Sequence, residues 1–141
     1  MAKKTFFIWA PIVIGLVACL LPFMVFTLQG QKYTSHLLDN YSGWPVAALL
    51  IAYSAFTRIK MASIRQMPRG LDLSMGIFVT GAALFHIIQA FSLFANAAPG
   101  SYALTKGANT IPGAGVWVLL LSGCWFIWRA LSKKQGFFNV R

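Results

Sequence analysis

Acid is what this sequence lacks most: it contains no glutamate and only two aspartates, Asp39 and Asp72. That shortage removes whole mechanisms. Paired carboxylates for glycoside chemistry, an acidic cluster for two-metal catalysis and a carboxylate relay for protons all lack their parts. Charged residues of either sign make up 10% of the chain, against about 25% in ordinary soluble domains. Cysteine is scarce as well. Cys19 and Cys124 each lie in an apolar run, at depths that helical rise separates by roughly 10 Å. A disulfide needs the two Cα atoms within about 7 Å. Both therefore read as small buried hydrophobes and say nothing about redox compartment.

What the chain has in abundance is apolar surface, 58% of its 141 residues. In water it would expose far more of that surface than its polar groups could cover, so lipid is the solvent that fits. The net charge of +10 does not imply nucleic acid, because a nucleic-acid binder gathers its bases on a soluble face. Here every Lys and Arg lies between or beside apolar runs, as in membrane proteins. The fold class expected is all-α and integral to the membrane: a single four-transmembrane-helix bundle with spans near 5–28, 44–59, 71–95 and 111–131.

The first run is about twice as long as the apolar core of a signal peptide and has no small-residue cleavage site. It reads as a retained span in which Pro11 and Pro22 are tolerated kinks. The second opens at Ser42-Gly43-Trp44-Pro45, where Ser42 suits a cap, Trp44 the interface and Pro45 a first helical turn. Asp72 suits the positive end of the third helix. Between the spans lie outer loops at 29–43 and 96–110 and a cytoplasmic loop at 60–70; a basic tail follows at 132–141. Ten of the twelve basic residues fall at the N-terminus, in or beside the middle loop, or at the C-terminal end, leaving only Lys32 and Lys106 on the other side. The positive-inside rule then places both termini in the cytoplasm. Length, basic tail and the missing cleavable signal fit a bacterial cytoplasmic (inner) membrane.

Residues 43–58 and 115–129 echo each other, with an outer Gly, an aromatic and apolar run and an inner Arg. Duplication of a two-helix hairpin generates that pattern, and so does shared topology alone.

The candidate site residues fall into three groups. On the third span His86, Gln89, Ser92 and Asn96 lie within about 120° of one another at helical spacing, a polar stripe expected to face other helices or water. Such a stripe serves either interhelical hydrogen bonding or a ligand path with His86 as proton carrier or metal ligand. Gly15 and Ala18 on the first span, with Gly76, Thr80 and Gly81 on the third, form small faces that let helices approach closely. They pack either within the bundle or against another membrane protein. Trp44, Arg58, Lys60, Trp117, Trp128, Arg129, Lys133 and Lys134 are expected as interfacial anchors, the basic ones snorkelling or meeting lipid head groups.

Size and helix count superficially match the small multidrug transporters, but those depend on a glutamate in the first helix, which this chain lacks. The function expected is that of a non-enzymatic accessory subunit, assembly factor or immunity-type partner of a larger membrane protein. Its partners would be membrane lipids and that protein, or further copies of itself, with no nucleic acid, metal or cofactor called for. A small oligomeric channel or transporter using the stripe is the first alternative. A cofactor-binding subunit with His86 as axial ligand is the second. An intramembrane enzyme ranks last, since no arrangement orients a nucleophile against a base.

Overall fold

A computed structural model describes residues 2–28, 30–39, 43–62, 69–95 and 109–132 of the chain. These residues are mostly helical: α1 (Ala2–Leu20), α2 (Gly43–Ala62), α3 (Arg69–Ala95) and α4 (Ala114–Ser132). Two of the four, α3 through Phe91 and α4, are long and apolar enough to cross a membrane; α1 and α2 contribute shorter apolar stretches, Ile8–Leu20 and Gly43–Ile59.

The fold is not purely α. Three strands, β1 (Pro22–Leu28), β2 (Gln31–His36) and β3 (Asn109–Pro112), form a small antiparallel sheet in the order β2-β1-β3. The expectation of one helix from 5 to 28 is corrected here, because α1 stops at Leu20. Proline disfavours helical geometry in the residue before it, and Pro22 follows directly. The next residues, Phe-Met-Val-Phe-Thr, are aromatic, β-branched or apolar types that suit a pleated surface. Likewise the intervals read as outer loops contribute β2, a 3-10 turn at Leu37–Asp39 and the start of β3.

β1 and β2 pair as a hairpin, with Leu28 opposite Gln31. Gly30 adopts φ 82°, which a glycine tolerates without steric cost. At the other end the register slips between Pro22 and Met24, so Phe23 is the extra residue of a bulge. Bulges re-aim side chains, and Phe23 is turned into the molecule with 1% of its surface exposed. Its carbonyl accepts a hydrogen bond from Gly113 N–H at 2.8 Å, tying β1 to the start of α4. His36 closes the end of α1: its Nδ1 lies 2.9 Å from the Leu20 carbonyl, one of the acceptors a helix terminus leaves open.

α4 is the central helix, packed along α3 on one side and α1 on the other, while α2 leans on α1. The core joining them holds Ile12, Leu50, Val79, Leu119 and Phe126, all at most 1% exposed. On the outward faces the side chains are equally apolar: Val17, Ile51, Phe85 and Leu121 are 46–65% exposed.

Candidate functional site between the second and third helices

Glycine sets how closely the helices approach. A Cβ on Gly15 would lie 2.9 Å from Ser122 Oγ and 3.0 Å from Leu50, so α1, α4 and α2 meet there. A Cβ on Gly76 would lie 2.6 Å from Ile127, and one on Gly123 would run into the Thr80 backbone and hydroxyl. Ala18 is fully buried. Four of the five small residues singled out are thus consumed inside the bundle. Gly81 is the exception, exposed and with nothing near its open side.

The close α3–α4 approach brings Asp72, in the first turn of α3, beside Arg129, in the last turn of α4. Antiparallel neighbours put these two chain positions at the same depth. Arg129 donates from Nη2 to Asp72 Oδ1 at 2.6 Å and from Nε to Oδ2 at 3.1 Å. Tyr53, from the middle of α2, donates its hydroxyl proton to Asp72 Oδ1 and accepts from Arg129 Nη2 at 2.6 Å. The remaining nitrogen, Nη1, donates to the Ile8 carbonyl of α1 at 2.9 Å. One guanidinium therefore joins all four helices. Phe126 lies 5.3 Å from it, ring centroid to Cζ, and Tyr53 6.0 Å, within the range where aromatic rings attract a cation. Asp72 is fully buried and Arg129 is 7% exposed. Nearby, Ser122 Oγ donates to the Pro11 carbonyl at 2.7 Å, a second link from α4 to the same stretch of α1.

Arg129 is accordingly not an interfacial anchor. Snorkelling to the head groups would leave Asp72 charged and unpaired in the core, and burial with that partner is the alternative adopted. Nor does Asp72 act as a helix cap facing water.

In front of this cluster α2 and α3 stand apart. The opening between them is an apolar groove of about 580 Å³, walled by Leu49, Ala52, Tyr53 and Phe56 on one side and Leu71, Ser74, Met75 and Phe78 on the other. Its polar groups are turned away. The Tyr53 hydroxyl is engaged with Asp72 and Arg129, and Ser74 Oγ donates to the Gly70 carbonyl of its own helix.

Two members of the polar stripe of the third helix, His86 and Gln89, share a side-chain hydrogen bond. His86 is buried, its ring edge-on to Phe23 at 5.1 Å and to Phe85 at 5.6 Å. Gln89, by contrast, is exposed. The side chain of Ser92 and the whole of Asn96 lie outside the described residues. Trp44, Trp117 and Trp128 are 50–61% exposed, and the exposed Arg58 stacks over the Trp9 ring at 5.7 Å. The side chain of Lys60, with Lys133 and Lys134, is outside the described residues. The echoed inner arginines sit differently, Arg58 at the surface and Arg129 in the core.

Sequence reasoning missed the Tyr53–Asp72–Arg129 cluster. A signal for it existed: Asp72 is the one acid beside an apolar run, and Arg129 stands at the matching end of the next helix in an antiparallel pair. With both carboxylate oxygens taken up by Arg129 and Tyr53, the cluster is a neutral clamp and offers no free base. Among the described residues no three of His, Cys, Asp and Glu gather as a metal site. Comparison with known protein families, with characterised proteins and with solved structures finds no match to this chain.

Proposed function

We propose that this chain is a four-span, non-enzymatic protein of a bacterial cytoplasmic membrane, both termini cytoplasmic, serving a larger membrane protein as accessory subunit, assembly factor or immunity-type partner. The apolar outward faces on all four helices support the spans, since soluble monomers rarely expose contiguous apolar surface on that scale. The observation that carries the partner role is the exposed outer strand of the sheet among the described residues. β2 is an edge strand, and Gln31, Lys32, Tyr33 and Thr34 are all exposed. An exposed edge strand is a template on which a strand from another chain can add. The helix faces offer less, since their small residues are mostly spent on each other. Docking at the sheet would place recognition on the side opposite the basic loops.

A photo-crosslinking residue at Tyr33 tests this in membranes at native expression. It should capture one larger membrane protein at near-equal stoichiometry, while the same probe at Ile88 should not. Replacing Tyr33 and Thr34 together by lysine should weaken co-purification at least tenfold. No partner at Tyr33, or ion flux through liposomes holding the purified chain alone, overturns the proposal.

A further inference from the structure

We infer that the groove between α2 and α3 is a binding site for the acyl chains of an anionic phospholipid. The inference rests on the membrane reading above and adds a ligand to it. Four observations lead there.

The walls are hydrocarbon, and the two hydroxyls among them are already committed elsewhere, so nothing in the groove would recognise a polar ligand. Its run along α2 from Leu49 to Phe56 covers about 10 Å of helix, within the roughly 15 Å of one leaflet's hydrocarbon. Acyl chains fit a groove of about 580 Å³.

Charge selects the head group. At the end of the groove away from the sheet, α2 and α3 carry Arg58, Lys60 and Arg69, and no acid occurs from residue 58 to 71. The nearest acid, Asp72, is already neutralised by Arg129. A lipid lying in the groove would therefore have its head at a positively charged end of α2 and α3, and basic sites between membrane helices select anionic head groups. Tyr53 contributes to the site without touching the head: its ring forms the wall, and its hydroxyl fixes that ring to the cluster behind.

The full-length chain in mild detergent, offered equal amounts of phosphatidylglycerol and phosphatidylcholine, is read by native mass spectrometry. Phosphatidylglycerol should be retained at least tenfold over phosphatidylcholine. Ala52→Trp, which adds bulk at an exposed groove position, should reduce that retention at least tenfold. Lys60→Ala should lower the preference about fivefold, the ~1 kcal/mol of one basic residue at an anionic surface. Each variant is checked first for carbonate-resistant membrane insertion. An inserted chain that holds both lipids equally, or keeps phosphatidylglycerol undiminished in Ala52→Trp, overturns the site alone. A dimer whose lipid-free groove crosslinks to a second copy also overturns it. A chain that never inserts removes the membrane reading and the site with it.

Discussion

Arg129 holds Asp72 by two nitrogens, Nη2 to Oδ1 at 2.6 Å and Nε to Oδ2 at 3.1 Å, across 57 residues of sequence. The planar guanidinium matches a carboxylate in this two-point geometry, which an ammonium cannot reproduce. Removing either partner strands a buried charge, at a cost of about 3–5 kcal/mol. Asp72→Asn and Arg129→Leu should each lose that much in a denaturant titration of the detergent-solubilised protein. The joint Asp72→Leu, Arg129→Leu variant should recover most of it. Single variants costing less than about 1 kcal/mol would show the pair to be dispensable.

Tyr53→Phe leaves the ion pair and the groove wall in place and deletes one hydroxyl. Hydrogen bonds to charged groups contribute about 1.5–3 kcal/mol, and a loss in that range is expected. The same substitution made on the Arg129→Leu background should cost less, because a donor to that hydroxyl is already gone. A double-mutant cycle measures the difference, and strict additivity would contradict the shared network.

Two glycines should respond in opposite directions. Gly123→Ala drives a methyl group into Thr80 and should destabilise by about 1–3 kcal/mol through overpacking. Gly81→Ala meets nothing and should stabilise by about 0.5–1 kcal/mol, the helix-interior penalty of glycine. Thermal melting in one detergent compares the pair. Equal and opposite signs from those expected would mean that α3 presents a different face to α4.

The proposed topology predicts sided labelling. In a background with Cys19 and Cys124 replaced by alanine, Tyr33→Cys should react with a membrane-impermeant maleimide in intact cells. A cysteine at Phe137 should react only after permeabilisation. Reaction of both, or of neither, from outside would contradict four spans with cytoplasmic ends.

The helices were readable because their signal is local. The run read from 71 to 95 is α3 at Arg69–Ala95, and that read from 111 to 131 is α4 at Ala114–Ser132. The sheet was not readable, for two reasons. β2, Gln-Lys-Tyr-Thr-Ser-His, has no apolar alternation to declare a strand. β1 is apolar enough to pass for more helix until its partner is known, and β3 pairs with it from across α2 and α3. Arg129 misled for a related reason. An arginine near a helix end is ordinarily a snorkelling residue, and only the neighbour supplied by packing shows that it turns inward. On α3 two members of the stripe lie about 60° apart, as three residues on a helix do, with His86 in the core bonded to Gln89 at the surface.

The separation of Asp72 from Arg129 also sets a timetable. At about 5–20 residues per second, the 57 positions that separate Arg129 from Asp72 take roughly 3–11 s to synthesise. Through that interval α3 exists with a carboxylate that has no counter-ion, and β1 waits still longer, from its own synthesis until β3 arrives. On the proposed four-span topology, the nascent chain is least at home in lipid just before its last helix emerges. It would then depend on the insertion machinery to hold three helices that only the fourth completes.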